Sequence, residues 1–302
     1  MSELDNVWTR KYRPLSIEEL ILSDSNQEYF SKLTKIPNNL LFMGRPGAGK
    51  TALAKLLAQK FCPNSYLYIN ASDENGIETV RTKITEFVST ISIDGNDKLV
   101  ILDEACGLSN SAQTALRGVM EEYLEDVRFI LTGNNKHKII EALESRCIGF
   151  DFSLDIRKVG QRILHILKSE SIKISDDQKK NLPVLIRRFY PDLRKTINEL
   201  QKCCIGGEFI YVENVDSTMA SQIYTKMKTG VDLFEIREMV IIGESSFAND
   251  YYSLMRSLFD EYLADKNVSA LLLIADYMYR SLSGGDQEVN FTALLFNIRK
   301  LG

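Results

Sequence analysis

Between Asn39 and about Asp151, short apolar β-rich runs alternate with stretches whose apolar residues recur at helical spacing. The runs are Asn39–Met43, Tyr66–Asn70, Leu99–Asp103, Val127–Thr132 and Ile148–Phe152; helical patterns between them include Ala52–Ala58, Thr79–Ser89 and Ser111–Tyr123. Such alternation predicts a parallel sheet with helices on both faces, because parallel strands need crossovers and the crossover helices pack back on the sheet. After Phe152 the strand signal stops. Asp155–Lys168, Asp176–Phe189 and Asp192–Cys204 carry helical spacing and are bounded by Gly206 and Gly207, which predicts a small helical second domain. From about Val215 to Gly302 the pattern is helical again, with breaks expected near Gly230, Gly243 and Gly284-Gly285. The stretch Ser281–Asp286 reads as a plain interhelical connection, and Leu271–Ala275 with Tyr277, Met278 and Tyr279 as helix core or subunit interface. The expected division is 1–152, 153–212 and 213–302.

Length agrees with several domains: 302 residues exceed one typical core of ~100–150 residues. Composition is that of a globular chain, 44% hydrophobic and 26% charged. There is no run of 18 apolar residues, and Met1–Asn6 lacks a basic segment followed by an apolar one. The expectation is a soluble intracellular protein with no membrane partner, cytoplasmic, in the host cytoplasm if phage-encoded or in the nucleus if eukaryotic. Five cysteines without C-x-x-C spacing read as reduced packing residues rather than as disulfides or a zinc site. A net charge of −4 gives no global attraction to nucleic acid, although a local basic surface can still bind it.

Chemistry enters with Gly44-Arg45-Pro46-Gly47-Ala48-Gly49-Lys50-Thr51, set between the first apolar run and a helical pattern beginning at Ala52. This is the strand-loop-helix setting of a P-loop, and it predicts binding of a nucleoside triphosphate. Its glycines let successive backbone N–H groups face phosphate oxygens, and the helix adds the positive end of its dipole. Lys50 would reach the β and γ phosphates and Thr51 would hold Mg²⁺. The run Lys98–Asp103 followed by Glu104 reads as a buried strand delivering carboxylates to its carboxyl end, a Walker B pattern. Asp103 would join the Mg²⁺ shell and Glu104 would activate the attacking water, which predicts hydrolysis rather than binding alone.

Several further segments resemble one family, the clamp-loader ATPases of the AAA+ class: the small subunits of replication factor C and the large clamp-loader subunit of T4-like phages. Trp8-Thr9-Arg10-Lys11-Tyr12-Arg13-Pro14 is similar to that family's opening segment, which lies against the adenine. Asn70-Ala71-Ser72-Asp73, with Gly76, Ile77, Val80 and Arg81, resembles its N-A-S-D segment and the helix beyond; Ala112, Gln113, Ala115, Leu116, Arg117, Met120, Glu121 and Tyr123 match the helix after Walker B. Thr132-Gly133-Asn134-Asn135 resembles the first sensor, with Asn134 meeting the γ-phosphate and the water. Ser145-Arg146-Cys147 resembles the S-R-C motif, whose arginine serves the neighbouring subunit's nucleotide in trans. Pro191-Asp192-Leu193-Arg194-Lys195 resembles the second sensor, with Arg194 on the γ-phosphate.

The resemblance is dense from Trp8 to about Gln201 and weak beyond. It implies a P-loop domain, a small helical lid and an all-α collar, with ATP and Mg²⁺ as cofactors. The implied partners are a sliding clamp, other loader subunits in a five-subunit assembly, and primer-template DNA. Arg81 and Lys83 resemble positions facing the DNA backbone, although a solvated helix face fits them equally well. Arg194 also has a plainer reading, as a partner of Asp192 or Glu199. Walker B departs from the family in ending on Cys106 rather than Asp, at a position that is not a metal ligand. Two rival readings stay open on the sequence: another AAA+ machine of DNA metabolism, such as a helicase loader or a junction-processing ATPase, and a loader subunit that binds ATP without hydrolysing it.

Overall fold

The computed structural model describes residues 7–90, 97–211, 215–244, 247, 250–282 and 284–301. The opening Met1–Asn6, and Ser283 inside the expected connection, lie outside them. The chain forms two compact units, 1–211 and 212–302.

In the first unit the elements run α1 (Trp8–Lys11), α2 (Asp24–Ser31), β1 (Leu40–Gly44), α3 (Lys50–Phe61), β2 (Tyr66–Asn70), α4 (Ile77–Thr79), α5 (Thr85–Ser89), β3 (Lys98–Asp103), α6 (Asn110–Glu122), β4 (Val127–Gly133), α7 (Glu141–Glu144) and β5 (Ile148–Phe152). The five strands pair in parallel in the order β2-β3-β4-β1-β5. Burial follows position: β1 and β3 are buried along almost their whole length, whereas the edge strands β2 and β5 are partly exposed. Period-two alternation sorts the central side chains onto two faces. Leu40, Phe42, Leu99, Ile101 and Ile130 meet α3 on one side, while Leu41, Met43, Val100, Leu102, Phe129 and Leu131 meet α6 on the other.

The expected helix Thr79–Ser89 starts two residues earlier and is not uniform: a π-helical turn, Val80–Ile84, joins α4 to α5. Its carboxyl end rests on Lys98, whose buried ammonium donates to the carbonyl of Phe87 at 2.6 Å and to the hydroxyl and carbonyl of Thr90. Desolvation there lowers the Lys98 pKa.

The helices that follow are α8 (Ile156–Ser169), α9 (Asp176–Lys179), α10 (Asn181–Phe189) and α11 (Leu193–Lys202). They lie inside the first unit and share the core of the α3 face, through Val159, Ile163, Leu185, Ile197 and Leu200. The single helix expected over Asp176–Phe189 is divided, because Pro183 has no N–H to return to the turn before it and is tolerated only near a helix start.

The second unit consists of α12 (Val215–Lys228), α13 (Leu233–Ile242), α14 (Tyr251–Ala264), α15 (Val268–Ser281) and α16 (Gln287–Arg299) around their own core. Breaks occur at Gly230, Gly243 and Gly284-Gly285 as expected. A further break near Lys266, at φ 56°, is followed by Asn267, whose side chain caps α15 by accepting from the N–H of Ala270 at 3.1 Å. Leu271, Leu273, Ile274, Tyr277 and Met278 of the apolar run join the core, while Leu272 and Tyr279 are exposed. Among the described residues no helix is long and apolar enough to cross a membrane, and none of the five cysteines is in a disulfide.

Candidate active site

The strand order brings three carboxyl ends side by side. β4 lies between β1 and β3, so the loop after β1 meets Asp103 at the end of β3 and Thr132 near the end of β4. The loop turns on Gly47 (φ 76°) and Gly49 (φ 91°), in the left-handed region where a Cβ is strained. At Gly47 a Cβ would also collide with the carboxylate of Asp192. Asp192 accepts from the N–H of Lys195 at 3.0 Å and so caps α11, which brings the start of α11 against the loop. Helix α3 begins at Lys50 with no side-chain cap, so its first N–H groups are available to an anion.

Lys50 is 9% exposed and donates to the carbonyls of Gly44 at 2.7 Å and Arg45 at 2.9 Å. Burial lowers its pKa, and the nearby carboxylates of Asp103 and Glu104 oppose that effect. Asp103 receives three hydroxyls: Thr51 at 2.7 Å and Thr132 at 2.6 Å on Oδ1, and Tyr68 at 2.7 Å on Oδ2. Desolvation, together with the bond to Asp103, pushes the Tyr68 phenol well above its ordinary value. The Thr132 hydroxyl also accepts from the N–H of Glu104 at 3.1 Å, fixing the backbone where Glu104 takes φ 56°. The Glu104 carboxylate receives the hydroxyl of Ser72.

Lys50, Thr51, Tyr68, Asp103 and Glu104 open onto one cavity of about 820 Å³. Of the residues expected at the site, Tyr12, Arg13, Pro14, Gly47, Ala48, Gly49, Lys50, Thr51, Ala52, Asp103, Glu104 and Arg194 line it. Gly44 ends β1 and, with Arg45 and Pro46, lies outside the lining, as does Asn134, which follows β4 and is exposed. Arg194 makes no ion pair among the described residues, and its charge contributes to lowering the Lys50 pKa; Asp192 serves as a helix cap instead.

The segment carrying Tyr12 is tied to the following helices. The Tyr12 hydroxyl donates to Glu170 at 2.6 Å, Lys11 pairs with Glu170 at 2.7 Å, and Arg162 donates to the Tyr12 carbonyl at 2.8 Å. Burial and the Glu170 bond raise the Tyr12 pKa to about 12. Tyr68, Lys55 and Arg162 also line the cavity without having been singled out from sequence. The only signal for Tyr68 was its place on a strand adjacent to Asp103.

Three expected residues stand elsewhere. Arg146 precedes β5, and its carbonyl accepts from Asn39, which precedes β1, so it lies at the amino ends of the strands, opposite the cavity. Arg81 and Lys83 are exposed on the π-helical turn, at 3.9 Å from Glu78 and 2.6 Å from Glu74.

Comparison with known proteins agrees with this arrangement. Residues 40–154 match the model of the ATPase family associated with various cellular activities (AAA). The chain is 32% identical to the replication factor C small subunit of Thermofilum pendens, over 96% of this chain and 95% of that one. It is 37% identical to replication factor C subunit 5 of Arabidopsis thaliana over 72% of this chain and 61% of the relative. A solved RuvB structure from Thermotoga maritima, 15% identical, has a TM-score of 0.53 over 78% of this chain and 88% of that one, a likeness of fold alone. With near-full-length identity to replication factor C small subunits and a P-loop cavity built on a parallel sheet, the chain belongs to that family of AAA+ clamp-loader ATPases and is an ATP hydrolase.

Proposed function

We propose that this chain is the ATPase subunit of a sliding-clamp loader. It binds ATP between subunits, holds a ring-shaped clamp open on primer-template DNA, and releases both on hydrolysis. In this reading residues 1–152 form the ATPase domain, 153–212 the lid and 213–302 the collar of a five-subunit assembly working in the cytoplasm, the host cytoplasm or the nucleus according to its source.

The observation that carries the proposal is the convergence of Lys50, Thr51, Asp103, Glu104 and Arg194 on one cavity. Lys50 and the N–H groups at the start of α3 take the β and γ phosphates of ATP; Tyr12, Arg13 and Pro14 lie against the adenine. The Thr51 hydroxyl and Asp103 carboxylate, 2.7 Å apart, are an oxygen-only pair of the kind Mg²⁺ accepts beside phosphates. Bound there, Mg²⁺ would neutralise charge developing on the transferred phosphoryl group. Glu104 accepts a proton from the attacking water, and Asn134 orients that water. Arg194 meets the γ-phosphate from the lid, and Arg146 meets a neighbour's γ-phosphate in trans. Positioning and electrostatics supply nearly all the catalysis. Arg81 and Lys83 contact the DNA backbone.

The test is to purify the chain with the products of its neighbouring replication genes and measure ATPase with clamp and primed DNA, separately and together. Stimulation only when both are present is the expected result. Equal stimulation by DNA alone would point to a different AAA+ machine.

A further inference from the structure

The acceptors that hold Arg146 carry a role of their own. Its Nη2 donates to the carboxylate of Glu121, near the carboxyl end of α6. Its Nη1 donates to the carbonyl of Ala142 in α7 at 2.6 Å and lies 3.4 Å from the Ser145 hydroxyl. Nε has no partner among the described residues. The same Glu121 oxygen lies 4.0 Å from Nε of Arg117, one turn earlier on α6, so one carboxylate serves two guanidinium groups.

We infer that Glu121 is a positioning residue for Arg146, fixing its guanidinium in the orientation in which it meets the nucleotide of the adjoining subunit. The inference rests on the trans role proposed above. An arginine side chain has several free torsions, and a guanidinium that must find a γ-phosphate loses that freedom at the moment of reaction. Two acceptors on separate helices remove it beforehand, which is how pre-organised charge differs from charge that has to be gathered. A guanidinium carries five N–H donors, so bonds at Nη1 and Nη2 still leave Nε and a second Nη2 hydrogen to face a phosphate. The two side chains are 35% and 45% exposed, and an ion pair that exposed contributes little to the fold. Orientation is what remains for it to do.

In the assembled loader, Glu121→Gln is expected to lower kcat roughly tenfold with KM for ATP unchanged, a fraction of the ~10³–10⁵ that an arginine finger supplies. Glu121→Asp, which keeps the charge but shortens its reach, should fall between. Arg146→Ala sets the floor, and adding Glu121→Gln to it should cost nothing further, because two residues acting through one contact are not additive. ATP affinity and thermal midpoint of the isolated chain serve as folding controls and should match the parent in each variant. Unchanged or faster turnover in Glu121→Gln, or losses that multiply in the double variant, would overturn the positioning role and leave the trans reading of Arg146 standing. Parental turnover in Arg146→Ala would overturn the trans reading itself, and this inference with it.

Discussion

Lys50 and Glu104 share a cavity but differ in what they can contribute. In the proposed mechanism the ammonium of Lys50 is a binding charge, whereas Glu104, which accepts from Ser72, takes a left-handed backbone and follows the end of β3, is the base. Lys50→Ala is therefore expected to abolish ATP binding, and Glu104→Gln to bind ATP normally and lose turnover. Nucleotide titration and steady-state ATPase measurements separate the two; equal binding defects would contradict the assignment. Gly47 gives a second test. Gly47→Ala places a methyl group at φ 76° and against Asp192, so ATP affinity should fall by about tenfold or more, given ~1–2 kcal/mol for the left-handed backbone alone. Calorimetric titration checks it. At this scale the motif residues were legible because a P-loop and Walker B are local in sequence. Tyr68 and Arg162 were not, since each reaches the cavity through a strand pairing or helix packing that no local pattern records.

Among the elements, β3 has a task at each end. Its carboxyl end carries Asp103, and at its amino end Lys98 holds the carbonyls that close the helical stretch α4–α5. Lys98→Met keeps the apolar stem and removes the donor, leaving those carbonyls unpaired, and should destabilise the first unit by about 1–3 kcal/mol. Chemical denaturation read by circular dichroism would show it, and an unchanged midpoint would mean that water satisfies the same groups. The strands were visible in sequence because buried parallel strands are continuous apolar runs bounded by turns. The π-helical turn at Val80–Ile84 and the division before Asn181 were not, because helical periodicity tolerates a one-residue slip and the Pro183 signal was averaged into a long amphipathic pattern.

For the whole molecule, two predictions concern what one chain does to another molecule. Arg146→Ala should bind ATP normally and hydrolyse it poorly in the assembly, and mixing it with a Lys50→Ala chain should restore some hydrolysis wherever an intact arginine faces an intact site. ATPase measured across mixing ratios checks it, and undiminished ATPase in a monomeric preparation would count against a trans role. DNA binding should be electrostatic and indifferent to sequence, since a loader acts at any primer junction. If Arg81 and Lys83 grip phosphates, replacing both should flatten the slope of log K against log salt by about two units, near 0.9 per contact on duplex. An unchanged slope in the ATP-bound assembly would return both to a solvated face.

The parallel sheet has one more consequence. Because the cavity lies at the carboxyl ends of the strands and Arg146 at the amino ends, a chain's own Arg146 stands at the opposite end of the sheet from its own cavity. In an assembly of more than two chains where each Arg146 serves the next chain along, contacts run head to tail, and the assembly has a direction. An open arc of such chains then has one fewer completed site than it has members: the first has no donor and the last donates to nothing. Closing the arc into a ring would complete the count but remove the gap, so an assembly that must admit a DNA strand from the side has reason to leave one site unfinished.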